Sequence, residues 1–305
     1  MRRALTSLAL VAAVASTALV VAARQGSQGG QGGQGGPALR VLRVGDLRAF
    51  RLPLDRYRLS PTQAEMVDRA RNRLFSGCMR RFGFELATPA ASRQLTVVGN
   101  AQRYGVDDEA QAGTHGYHPA TPPPAAPVRE PRLSAAAEAI ADGSGPRTYR
   151  GRRVPAGGCL GQALRQLGRG GPVPADPGLA EGLGLESYVR TSESGPMWPV
   201  FARWSACMGR AGFHYATPRQ ANNDPAWRTP RPSTRERATA VADARCKRQV
   251  QLVDLWATVE TAYQQHQVAQ HADQLEVLAR ALATRVSNAA RVAGFGQDND
   301  APRSI

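Results

Sequence analysis

The chain has 305 residues, 42% of them hydrophobic and 6% aromatic, enough for one or two modest cores with a large share of loop. A formal net charge of +15 excludes a strongly acidic protein and makes polyanions and anionic lipid headgroups the natural attractants. Lys247 is the single lysine, so arginine carries the charge, a bias that reflects a GC-rich genome better than it reflects function.

Residues 1–23 read as an export signal. Arg2 and Arg3 precede a charge-free apolar run from Leu5 to Ala23, and Val21-Ala22-Ala23, or Ala13-Val14-Ala15 upstream, offers small residues to a signal peptidase. The run is nearly long enough to span a bilayer, so the alternative to cleavage is a membrane tether through residues 5–23. Residues 24–37, a Gly/Gln repeat, have too few apolar groups to offset their ordering entropy and read as a linker.

From Leu39 to Leu59 apolar residues alternate with Arg and Asp, as in a short strand or an extended arm lying on helices. Ser60-Pro61-Thr62-Gln63 is a capping box with proline at the first helical position. An apolar stripe, Val67, Ala70, Leu74, Cys78 and Phe82, carries that helix to a stop at Gly83. Residues 89–158 lack a period and are rich in proline between 119 and 131; Ser134 to Ala141 reads as a short helix. A loop of that length needs a tie, for which Cys159 is the candidate; it opens a helix ending at Gly168. Another helix is expected from Leu179 to Val189.

The segment Met197–Phe213 places Met197, Val200, Phe201, Trp204, Cys207, Met208 and Ala211 at helical spacing, with Gly212 as the stop. Its end repeats an earlier phrase: Cys78, Met79, Gly83 and Phe84 match Cys207, Met208, Gly212 and Phe213, and Ala-Thr-Pro follows both. Ser233-Thr234-Arg235-Glu236 is a second capping box. From Thr234 to Ala293 there is neither Gly nor Pro, so one continuous helix of about 90 Å is expected, ending at Gly294. Val241, Leu252, Trp256, Val259 and Tyr263 mark one stripe and Leu275, Leu278, Leu282 and Val286 another. The polar stretch between them makes a bend near Ala272-Asp273, giving a hairpin, the alternative.

The four cysteines contain no Cys-x-x-Cys and no zinc-finger spacing to histidine, so in an exported chain they read as two disulfides. Three pairings exist. The duplication favours Cys78 with Cys159 and Cys207 with Cys246, each repeated phrase completed by the next cysteine. Of the histidines, His115 and His118 offer two imidazoles in a loop without a nearby carboxylate, a pattern met more often as surface decoration than as a metal site. His266 and His271 are five apart and diverge on a helix. Asp107-Asp108-Glu109 and Glu181/Glu186 form no recognisable pair, and no Gly-x-Ser-x-Gly, His-Glu-x-x-His or phosphate-loop pattern occurs. No catalytic, cofactor or metal site is assigned. Dispersed arginines without interleaved aromatics argue against nucleic acid.

The phrase Cys-Met-x-x-x-Gly-Phe at Cys207–Phe213, followed by Ala-x-x-Asp-x-x-Cys at Ala240–Cys246, resembles a group of secreted or lipid-anchored envelope proteins of high-GC Gram-positive bacteria without an assigned activity. The resemblance runs from Leu52 to Ala293 and includes Tyr-Gly-Val-x-Asp at Tyr104–Asp108 and Gly-Gly-Cys at Gly157–Cys159. It implies an envelope protein working beside a transport or wall-binding system and carries over no catalytic residue. The chain departs from lipid-anchored members in having no cysteine after its signal.

The expected architecture is mainly α: disulfide-stapled helices, long irregular loops and a long C-terminal helix, either a helical hairpin or coiled-coil-like. Residues 38–190 form a first helical unit, 191–294 a second, and 295–305 a disordered tail. The expected role is that of an exported, non-enzymatic envelope protein with an envelope protein or a cell-wall polymer as partner. The rival is an envelope hydrolase acting on peptidoglycan or a glycan, which requires two carboxylates facing one another in a cleft.

Overall fold

Pro61 at the first helical position and the reciprocal bonds of Ser60 and Gln63 start the first helix, α1 (Pro61–Arg81), and the same local chemistry recurs through the chain. The computed structural model describes residues 40–86, 100–120 and 133–297; the readings of residues 1–37 and of the proline-rich centre at 121–132 lie outside them. Ten α-helices and one two-stranded hairpin occur among the described residues. After α1 come α2 (Glu109–His115), α3 (Ala135–Asp142), the hairpin of β1 (Thr148–Tyr149) and β2 (Arg152–Arg153), α4 (Gly158–Leu167) and α5 (Leu179–Ser192). The second half supplies α6 (Trp198–Arg210), α7 (Pro218–Asn222), α8 (Thr234–Gln249), α9 (Leu252–Gln270) and α10 (Ala272–Gln297).

The repeated phrase folds the same way twice. Gly83 and Gly212 both take positive φ, +83° and +87°, just past the ends of α1 and α6. Phe84 N–H donates to the Met79 carbonyl at 3.1 Å, and Phe213 N–H to the Met208 carbonyl at 2.9 Å. Each is the six-to-one bond of a Schellman cap, which satisfies a carbonyl the helix end leaves open. One turn back, Cys78 is bonded to Cys159 and Cys207 to Cys246, with Cα separations of 5.5 and 5.7 Å. These bridges clamp α1 to α4 and α6 to α8. Closing 81- and 39-residue loops removes about 4 kcal/mol each of unfolded-chain entropy.

The Gly-Gly-Cys phrase explains itself here. Gly158 has φ +65°, and a Cβ on it would lie 2.4 Å from the Ala141 carbonyl oxygen. Without a side chain, the end of α3 reaches the start of α4, and Cys159 sits within range of Cys78.

The division at residue 190 is not a division in space. The described residues from 40 onward form one compact unit, in which α10 packs on α1 and α4 from the first half, and α2 packs on α8 from the second. Residues 40–45 form an arm rather than a strand, and a turn follows in which Ala49 N–H and Phe50 N–H donate to the Asp46 carbonyl. Val44 N–H donates to Asp254 and Leu42 N–H to Thr258, both on α9, each at 2.9 Å. A 3-10 turn at Pro53–Tyr57 follows, and Leu54 N–H donates to Gln264 on the same helix.

The continuous C-terminal helix is a misreading. The run breaks twice, at Gln251, which adopts φ +53°, and at His271, one residue before the bend considered above. A non-glycine residue in the left-handed region costs about 1–2 kcal/mol. The turn it makes starts α9 with Leu252 fully buried and Trp256 2% exposed, and each such burial stabilises by about 1.5–3 kcal/mol. Burial wins, so the absence of Gly and Pro does not secure a straight helix. Gly294 does not end the last helix either, since α10 runs on to Gln297. The polar stretch that holds the second break is partly core: Gln264 and Gln267 face inward and are nearly inaccessible.

Replacing Gln251 by Gly is therefore expected to raise stability in urea unfolding by about 0.5–1 kcal/mol, since glycine relieves a left-handed residue. In a continuous helix the same change would lower stability by about 1 kcal/mol.

Candidate functional site

Three carboxylates enter the interior from α8 and α9, Glu236, Asp243 and Glu260, each with no accessible surface. A buried charge is tolerated only with partners. Their partners come chiefly from residues 103–118, the stretch that shows no period in the sequence.

Glu260 receives Arg103 Nε at 3.0 Å, Tyr104 OH at 2.9 Å, Ser187 Oγ at 2.7 Å and Gln264 Nε2 at 3.1 Å. Burial alone would lower the affinity of Arg103 for its proton, but the Glu260 carboxylate outweighs it, and the guanidinium is held more firmly charged than usual. Burial and the same carboxylate push the Tyr104 phenol far up, so it remains a donor. Above this cluster, Trp256 lies 5.2 Å from the rings of Tyr104 and Tyr188 and 5.4 Å from that of Phe201. Such pairs add about 0.5–1.5 kcal/mol each beyond area burial.

Asp243 accepts from Trp204 Nε1 at 2.9 Å, Lys247 Nζ at 3.0 Å and Tyr117 OH at 3.3 Å. Burial pushes its carboxyl above the usual range, and the Lys247 ammonium and these donors oppose that shift. Lys247 is 1% exposed and gives a second hydrogen bond to the Val106 carbonyl at 2.8 Å. Glu236, expected to close a capping box, does something else. Its N–H is capped by Ser233, but its carboxylate turns to the Tyr117 N–H at 2.9 Å and to His118 Nδ1 at 2.7 Å.

The three carboxylates are closed off from solvent, although His118 and Arg103 reach the surface at their edges. Two open clefts lie elsewhere. One, of about 470 Å³, sits where α6 meets the break between α8 and α9, and Arg203, Ala206, Arg210, Gln249, Val250, Gln251 and Leu255 line it. No carboxylate is among its lining residues. Arg203 and Arg210 are exposed and make no ion pair among the described residues. The Cys207–Cys246 bridge holds its two walls together, and Gln249 Oε1 lies 3.3 Å from Cys207 Sγ. The second cleft, about 510 Å³, is lined by Tyr215, Arg219, Gln220, Asn223, Asp224 and Pro225. There burial, with the Asp224 carboxylate 2.7 Å away, pushes the Tyr215 phenol up to about 12.

Cys78, Cys159, Cys207 and Cys246 are all spent in bridges, and no cysteine among the described residues is free. His118 is not surface decoration: both ring nitrogens are engaged, one by Glu236 and one by the Thr229 carbonyl. His271, at the break between α9 and α10, bonds Gln274 in the first turn of α10. Asp108 caps α2, Glu109 pairs with Arg245 and Arg248, and Glu186 with Arg190 and the Tyr263 hydroxyl, so the acids considered earlier do not converge. Among the described residues no three His, Cys, Asp or Glu side chains could hold a metal, and no helix is long and apolar enough to cross a membrane. The buried carboxylates and Lys247 were not singled out as a cluster in the sequence. A signal existed: a chain that uses arginine almost everywhere keeps lysine at one position, four residues after an aspartate on a helix. No family model matches the sequence, and no curated protein or solved structure is significantly similar to it.

The Lys247–Asp243 pair should behave as a coupled unit. Lys247→Met, which leaves a buried carboxylate unpaired, is expected to cost about 3–5 kcal/mol in denaturant unfolding. Adding Asp243→Asn should recover part of that loss. Simple additivity of the two single losses would contradict the buried ion pair.

Proposed function

We propose that this is an exported envelope protein with a non-enzymatic binding role, and that it takes a polyanionic cell-wall polymer in the cleft between α6 and the α8–α9 break. The observation that carries this reading is the cleft's composition, two exposed arginines and no carboxylate in a volume of about 470 Å³. Arg203 and Arg210 stand seven residues apart on α6, about 10 Å along the axis at 1.5 Å per residue. That spacing suits successive charged groups on a polymer better than one small anion. The disulfide beside the cleft fixes its walls, so little ordering entropy is lost on binding.

Two disulfides are in keeping with an oxidising compartment. Export itself rests on Arg2-Arg3 and the apolar run to Ala23, and on the resemblance to envelope proteins. The hydrolase reading draws little support from the interior, because Glu236, Asp243 and Glu260 face donors within the core rather than an open cleft.

Binding of poly(glycerol phosphate) to the purified protein tests the reading. Arg203→Gln with Arg210→Gln should weaken binding about tenfold, the equivalent of about 1.4 kcal/mol. Arg152→Gln with Arg153→Gln removes the same charge from the exposed hairpin and should change binding less than about twofold. Equal losses in both variants would reduce the cleft to general electrostatic attraction. Release of soluble fragments from peptidoglycan by the wild-type protein would favour the hydrolase instead.

A further inference from the structure

We propose that His118 and Glu236 form a proton-dependent latch, which holds the 100–120 segment on α8 while the imidazole is charged and loosens it when the imidazole is neutral. The geometry is specific. His118 Nδ1 lies 2.7 Å from Glu236 Oε1, and Nε2 lies 2.7 Å from the Thr229 carbonyl oxygen. The Thr229 carbonyl and the ionised Glu236 carboxylate are both acceptors, so both ring nitrogens must carry protons for both contacts to be bonds, and that species is the imidazolium.

The charge facing the ring from α8 is Glu236, fully buried, whose second oxygen is buried and has no hydrogen-bond partner. From the loop before α8 the ring meets the Thr229 carbonyl, and on its own segment the His118 N–H donates to the His115 carbonyl. Tyr117, the neighbouring titratable group, sends its hydroxyl to Asp243 beside Lys247. Among the described residues His118 is the one cationic partner within ion-pair distance of Glu236. Loss of one ring proton therefore sets a lone pair against either the Glu236 carboxylate or the Thr229 carbonyl, and with either tautomer Glu236 is left as a buried charge without a cation.

The segment is seated closely enough to feel that change. Gly116 has φ +59°, and a Cβ there would fall 2.5 Å from Glu236 Oε1. Tyr117 N–H donates to the same carboxylate oxygen, and its ring stacks on Trp227 at 6.0 Å. Beneath the latch lie Asp243 and Lys247, so loosening it would admit water to a second buried pair.

The Thr229 carbonyl first, and the Glu236 carboxylate next, raise the His118 proton affinity above the ordinary imidazole value of about 6.5. A raised folded value gives stability that is complete below about pH 6.5 and is lost as pH rises through that folded value. The latch does not depend on ligand binding at the arginine cleft.

Nitrogen-detected NMR of the full protein between pH 5.5 and 9 should find both His118 ring nitrogens protonated at pH 6, with a midpoint above 6.5. Hydrogen exchange at the Tyr117 amide, corrected for its intrinsic pH dependence, should accelerate at least tenfold across that midpoint. In His118→Gln the step should vanish. A His118 midpoint at or below 6.5, or Tyr117 protection unchanged through it, would overturn the proposal. Both readings come from the wild-type chain, so the test survives a variant that fails to fold.

Discussion

The interior around α8 and α9 is organised by three carboxylates that these two helices bury without any access to water. Removing one ionised carboxylate from water costs several kcal/mol even after relaxation, so each of Glu236, Asp243 and Glu260 dictates what must stand beside it. Arg103, Tyr104, Tyr117 and His118 answer that demand from a stretch of only sixteen residues, 103–118, that contains one two-turn helix. The stretch is ordered by charge satisfaction, not by periodicity. Its turns are consequences: Gly105 and Gly116 take positive φ where a Cβ would fall 2.9 Å from Lys247 Nζ and 2.5 Å from Glu236 Oε1.

A network of this kind fixes one arrangement, because any slip of the segment by one residue leaves a carboxylate unpaired. The two disulfides do complementary work. One acts on a helix pair that the network does not reach directly, α1 with α4, and the other reinforces α6 and α8, which Trp204 and Asp243 already join, at the end of α8 far from Glu236. Covalent closure removes entropy from the unfolded chain, while the buried charges penalise misfolded compact states. The interleaving of the two halves follows: partners of α8 come from residues 106–118, and α1 packs on the last helix.

Features governed by local chemistry could be read from the sequence, and features governed by distant partners could not. Ser60 and Gln63 cap α1 because a capping box needs only four residues. The stops at Gly83 and Gly212 follow from a glycine two residues past the helix end and a following phenylalanine. The same rule failed at Glu236, where an equally good box pattern lost its glutamate to Tyr117 and His118. Gln251 is the sharper failure. Nothing local marks it as a turn, and only the pull of Leu252 and Trp256 into the core decides the matter. Asp243 and Tyr104 stood inside the two phrases quoted for the family resemblance, yet their chemistry was invisible until Lys247 and Glu260 were placed beside them.

Lys247 shows why the abundant arginine must be judged by place rather than by number. Its pocket offers Asp243 Oδ2 and the Val106 carbonyl, two acceptors in a closed space. An ammonium group with three donors leaves at most one unmet there, whereas a guanidinium with five would leave three, each costing about 1–3 kcal/mol. Lysine therefore suits this position better than arginine. At Arg203 and Arg210 the reverse holds: water satisfies the idle donors, and either cation would fold equally well. Their planar forks matter only if something anionic arrives, so the net charge of the chain says little about binding. What distinguishes that pair from the other surface arginines is a walled cleft with no acid in it.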